Sequence, residues 1–271
     1  MKLSFTTLGC PDWTLDQVIE NAAAYGYDAI DFRGLNGTMD IYRLPEFAEK
    51  ADDTHRRVQA AGLAVSCFSS SVVAFSTANL EKNVEEVRAY AKLCELFGTR
   101  FIRVFGGKIG EMSREEAVET LARNLNALGR VAEEHGARLV FETHDDWLDS
   151  TLVKAVFERL ESKSVGVLWD VHHPYRMLGE EPETTWANLG PWIEYTHVKD
   201  SRGTAEDYTY CLTGEGNIPL QRICSVLQRG GYDGYFTFEW EKKWHPEIDE
   251  PTVALPQYVQ YMRRLAESIG A

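Results

Sequence analysis

Positive charge is scarce in this chain. Lys and Arg number 28 against 42 Asp and Glu, a formal net charge of −14 over 271 residues. A duplex nucleic-acid binder needs a clustered excess of Lys and Arg facing the phosphates, so the balance argues against nucleic acid. It argues equally against an anionic membrane surface. Long hydrophobic runs are missing too: no apolar stretch approaches the ~18 residues of a membrane span. The N-terminus, MKLSFTTLGCPDW, has neither the apolar core nor the small-residue cleavage site of a secretory leader. The five cysteines (Cys10, Cys67, Cys94, Cys211 and Cys224) are scattered, with no CxxC pair. An odd, dispersed set excludes a disulfide framework or a zinc ribbon and is expected of reduced thiols in a cytoplasmic protein. No low-complexity tract, long linker or compositional break divides the chain, so residues 1–271 are expected to form one domain.

What is present is alternation. Strands are expected at 3–8, 29–32, 64–68, 101–105, 138–141, 165–169, 193–197 and 235–238, each a short apolar run bounded by polar sequence. Between them lie segments with apolar residues at helical spacing. The first follows Asp12 or Thr14, either of which suits a helix cap. Others are expected at 45–61, 80–97, 114–135, 152–160, 184–189, 220–229 and 252–268. Eight such units predict parallel strands with helical crossovers, and the economical closure is a (β/α)8 TIM barrel, which leaves no sheet edge. A doubly wound open sheet would normally carry a Gly-rich phosphate turn after its first strand. LGCPDW is not one.

Polar residues at the C-terminal ends of barrel strands mark the functional face. The fifth strand runs into FETHDDW, with Glu142 and His144. The sixth runs into WDVHHPY, with Asp170, His172 and His173. The seventh gives THVKDSR, with His197, Lys199, Asp200 and Arg202, and the eighth gives FEWEKKW, with Glu239 and Glu241. Carboxylates crowded on adjacent strands repel one another when dry, and a divalent cation relieves that repulsion. Mostly oxygen donors with one imidazole and no thiolate suit one ion of Mn, Mg or Co, and also admit Zn. Taken singly, Glu142 reads equally well as an ion-pair residue and His197 as a satisfied core histidine; Asp200 and Glu241 read as supporting groups.

Arg33 and Arg103 at the tips of the second and fourth strands, with Lys199 and Arg202, are candidates for holding hydroxyls, a carboxylate or a phosphate. The competing reading for each is a surface ion pair. Trp13 and Trp244 are candidates for stacking on a sugar face, and Trp240 for barrel packing or stacking. Gly106-Gly107 is expected to leave room at the mouth for a ligand. The acidic balance suits a small, uncharged polar substrate. The helical exterior and the aromatic C-terminal segment are compatible with a homo-oligomer, which the sequence does not establish.

Several of these segments carry a family likeness. GYDAIDFRG, FETH, WDVHH, THVKD, GEGNIPL and GYDGYFTFEW together resemble the sugar isomerase/epimerase superfamily built on the xylose-isomerase-like barrel. That group includes ketose 3-epimerases, hydroxypyruvate isomerase, inosose dehydratase and, more remotely, endonuclease IV. The resemblance implies that Glu142, Asp170, His197 and Glu239 hold a single metal. It also implies that His173 contacts substrate and that Arg202 lies near a substrate-binding Arg. Where the epimerases carry a further Glu after the fifth-strand ligand, this chain has Leu148, and His144 sits closer in. Endonuclease IV needs extra histidines on the second to fourth strands, which are not found here. The chemistry implied is metal-dependent isomerisation or epimerisation of a sugar or cyclitol, with Glu142 and Glu239 exchanging protons. The alternatives are a dehydratase of the inosose or dehydroshikimate kind and a sugar-binding barrel without catalysis.

Overall fold

Runs such as LVFE and VGVLW offer no polar face, and each becomes a strand buried on both sides. The computed structural model describes residues 1–270. In chain order the parallel strands are β1 (Lys2–Thr6), β2 (Ala29–Phe32), β3 (Ala64–Val73), β4 (Phe101–Phe105), β5 (Arg138–Glu142), β6 (Val165–Asp170) and β7 (Ile193–Val198). A two-stranded antiparallel ribbon, β8 (Asp200–Gly203) and β9 (Tyr208–Cys211), follows β7. The last barrel strand is β10 (Tyr235–Phe238). The eight parallel strands close in the order β1-β10-β7-β6-β5-β4-β3-β2, a (β/α)8 barrel.

Helices α1 (Leu15–Tyr25), α2 (Ala51–Ala60), α3 (Leu80–Phe97), α4 (Arg114–Glu133) and α5 (Ser150–Phe157) cover the first half. The remainder are α6 (His173–Leu178), α7 (Pro182–Leu189), α8 (Leu220–Arg229) and α9 (Pro251–Ile269). Their starts follow local chemistry. Thr14, not Asp12, caps α1 in a reciprocal box with Gln17, and Ser113 does the same for α4 with Glu116. Among the described residues no helix is long and apolar enough to cross a membrane. The five cysteines are free and buried.

Local departures from expectation have packing reasons. The segment expected to be helical from Pro45 becomes helix only at Ala51. Before it, Phe47 turns inward against Phe32, Phe68 and Phe97, and that packing outweighs helical propensity. Strand β3 extends past Phe68 through the serines to Val73, because Ser70 donates its hydroxyl to the Arg103 carbonyl. After β6 the chain forms two short helices where a single one at 184–189 is expected. The ribbon β8–β9 has no counterpart in the expected elements.

Candidate metal centre

Side chains alternate across a strand, so residues two apart share the barrel interior. Val140, Leu168 and Tyr195, with Cys67, form a separate buried cluster inside the barrel. Two residues further along, towards the C-terminal ends, the same strands present Glu142, Asp170 and His197, and β10 leads into Glu239. Asp170 and His197 are direct register partners. Glu142, Asp170, His197 and Glu239 each offer a ligand atom, all lie within 4.8 Å of one another, and all four residues are buried.

His197 sits at the middle. Its Nδ1 lies 2.8 Å from Glu142 Oε1 and 3.2 Å from Glu239 Oε1, and its Nε2 lies 3.4 Å from Asp31 Oδ2. Asp31 adds a fourth buried carboxylate, which sequence reading missed. In AIDFR it lies inside a strand, and its partner His197 comes from across the barrel.

Arg103 and Lys199 bring positive charge to this group. Arg103 donates from Nε to Glu142 Oε2 at 2.6 Å, and from Nη1 to the Ser70 carbonyl at 3.2 Å. Lys199 is fully buried, with Nζ 2.5 Å from Glu239 Oε2 and 2.7 Å from Glu241 Oε1. Burial would push Glu142 up, but Arg103 and His197 outweigh it and hold the carboxyl down at about 2. Burial likewise opposes the Glu239 charge, and His197 and Lys199 overcome it, leaving Glu239 well below the usual carboxylate range. Asp170 goes the other way: burial and its carboxylate neighbours outweigh Lys199 and raise it to about 6.

These residues fit a divalent ion. Three carboxylates and one imidazole, with no thiolate, form a hard donor set. Asp170 Oδ2 lies 2.8 Å from Lys199 Nζ, so one ammonium is shared among the carboxylates of the buried centre.

Outside the centre lies a cavity of about 290 Å³, lined among others by His144, His173, Tyr208, Tyr210, Glu241 and His245. The His144 and His173 rings meet edge to face at 5.0 Å. Burial, reinforced by Lys199, keeps His173 neutral, and its Nδ1 has no hydrogen-bond partner. For His144 burial opposes protonation, but Asp145, 3.0 Å away, and Glu142 prevail and raise it.

Other candidates fall elsewhere. Arg202 is not at the centre: it lies 61% exposed on the ribbon and pairs with Glu215 at 2.6 Å. Its side chain, expected to serve substrate, is engaged with the Glu215 carboxylate and carbonyl. Arg33 is half-buried, and its one side-chain hydrogen bond goes to Ser71 Oγ at 3.1 Å. Burial and the neighbouring Arg103 lower it to about 10. Asp200 accepts backbone N–H groups from Ser201, Gly214, Gly216 and Ile218, which fastens the GEGN turn to the end of β7. Arg176, unnoticed in the sequence, ties the ribbon down through the Ser201 hydroxyl and carbonyl. Trp240 and Trp147 are fully buried, Trp13 packs on the core edge, and Trp244 is exposed. Gly106 makes room for Trp147 instead of a ligand, since a Cβ there would overlap the indole.

A family model described as the xylose isomerase-like TIM barrel matches residues 19–265. The chain belongs to that family. It is 26% identical over 145 residues to an inosose dehydratase of Bacillus anthracis (strain CDC 684 / NRRL 3495), covering 47% of this chain and 48% of that one. The chain thus spans about half the length of the inosose dehydratases it matches. A 3-dehydroshikimate dehydratase of Bacillus anthracis is 23% identical over 206 residues, 74% of this chain and 72% of that one. The solved structure of the IOLI protein with a binding zinc atom superposes with a TM-score of 0.80 at 19% identity. It covers 99% of this chain and 98% of that one, a likeness of fold.

Proposed function

We propose that this protein is a divalent-metal-dependent enzyme that removes a proton beside the ketone of a small sugar or cyclitol, with loss of water completing the reaction. The observation that carries this reading is the convergence of Glu142, Asp170, His197 and Glu239 within 4.8 Å, buried beneath the cavity that holds His144 and His173. When bound, a divalent ion supplies charge that polarises a carbonyl and neutralises charge developing on its oxygen. The four residues named would hold it. Arg103 fixes Glu142 and Lys199 fixes Glu239, so neither carboxylate needs to reorient during turnover.

The neutral His173 imidazole, with its free Nδ1, is the group suited to accept the proton, and His144 stands beside it. They come from the ends of β5 and β6, adjacent strands, and share one wall. Inverting a carbon requires proton donors on both of its faces. Elimination requires only that the departing hydroxyl be protonated after the C–H is broken. The matches to two dehydratases support the same outcome. The epimerase outcome expected from the sequence would use Glu142 and Glu239 as acid and base.

The test is incubation of Mn-loaded enzyme with keto-cyclitols and polyhydroxylated keto acids in deuterated water. Loss of water with appearance of a conjugated enone supports the proposal. Deuterium uptake at carbon without water loss would assign epimerisation or isomerisation instead. Neither event with any such substrate contradicts the reading.

A further inference from the structure

Lys199 has surroundings that the single-metal reading uses only in part. Its Nζ is fully buried and touches carboxylates of three residues: Asp170 at 2.8 Å, Glu239 at 2.5 Å and Glu241 at 2.7 Å. Tyr210 donates its hydroxyl to Glu241 Oε1 at 3.1 Å and so fixes that carboxylate in place. Three hard oxygens around one cation form the kind of cage that binds a divalent ion. The oxygens also do not stand alone. Asp170, His172 and His173 can offer ligand atoms within 4.8 Å of one another, all buried. His172 Nδ1 and His173 Nδ1 lack hydrogen-bond partners. Unpaired buried polar atoms cost free energy, and two side by side are unusual unless a cation serves them.

We propose that Lys199 is a covalently attached substitute for a second cation. Its ammonium fills a subsite built by Asp170, Glu239 and Glu241, with the imidazoles of His172 and His173 alongside, and so limits the centre to one divalent ion. The inference rests on the single-metal reading of the neighbouring four-residue centre, with which it shares Asp170 and Glu239. The physical reason is charge. An ammonium and a divalent ion cannot occupy the same three carboxylates, and the tethered cation has no association entropy to lose. Without Lys199, the carboxylates and imidazoles would be left to recruit an ion from solution.

The experiment counts manganese per chain after loading and gel filtration, for the wild type and for Lys199→Met, Lys199→Arg and Lys199→Met/Glu241→Gln. The expected result is one ion for the wild type and two for Lys199→Met, with the spin-coupled resonance of a manganese pair appearing only in Lys199→Met. Lys199→Arg keeps the cation and stays at one, and the double variant returns to one. Should Lys199→Met unfold without metal, recovery of its circular dichroism as manganese is added reads the same count, with the end point at two equivalents. One ion in Lys199→Met, or two in the wild type, overturns the inference and leaves the metal reading standing. No ion in any of these proteins overturns the metal reading itself, and the inference with it.

Discussion

Arg103 and Glu142 face each other across neighbouring strands, with Nε and Nη2 of the guanidinium 2.6 and 2.5 Å from one carboxylate oxygen. Both side chains are buried, so neither charge has water to fall back on. Removing one partner of such a pair costs about 3–5 kcal/mol, chiefly from the charge left behind. Arg103→Met is therefore expected to lose about that much stability in chelator, and visibly less in saturating manganese, which replaces the missing charge. Urea denaturation with and without metal checks this. An equal loss in both would mean that Glu142 does not meet the ion.

The mouth imidazoles act on substrate and do not hold metal in this account. His173→Asn is expected to lower kcat by about 10²–10⁴-fold, the usual contribution of a general acid or base, with metal content unchanged. His144→Asn is expected to do the same to a lesser degree. Loss of metal in either variant would move that histidine into the ligand set.

His172 predicts a pH dependence of stability. Burial, with Lys199 and Arg176 nearby, holds it down at about 2, so it is neutral when folded. An unfolded imidazole titrates near 6.5, and below that the unfolded chain binds a proton that the folded one refuses. Stability from this group is therefore complete above about pH 6.5 and is lost as the pH falls towards 2, at about 1.4 kcal/mol per pH unit. His172→Asn is expected to flatten the decline between pH 6 and 4.5 by roughly that slope. Parallel denaturation series of variant and wild type measure it, and identical slopes would contradict the assignment.

Arg202→Ala is expected to change kcat/KM by no more than about twofold and stability by less than about 1 kcal/mol, since its partner Glu215 is also on the surface. A large effect on KM would restore the substrate role expected from the sequence.

That residue shows where sequence reading stopped. The barrel and the carboxylates at its strand ends were legible, because a buried parallel strand is an apolar run and a charge just beyond it stands out. Asp31 was not: it lies inside a strand and became meaningful only when His197 arrived from across the barrel. Arg202 was read as a candidate at the end of THVKD, whereas Asp200 starts a separate ribbon, a hairpin with Tyr208–Cys211 on which Arg202 pairs with Glu215. Lys199 was recognised as part of the site, but its three carboxylate partners come from the ends of two other strands, β6 and β10. The Gly106-Gly107 pair announced a close approach that was read as a ligand's, whereas Gly106 faces Trp147 and Gly107 faces Val73.

The central claim is that Glu142, Asp170, His197 and Glu239 together hold a divalent ion. The most direct measurement is the metal content of the purified wild type beside Glu239→Gln and His197→Ala, each with circular dichroism to confirm the fold. The account predicts about one ion per chain in the wild type and loss of that ion in both folded variants. Metal retained in full by both variants, or no uptake by the wild type under any loading condition, would contradict it.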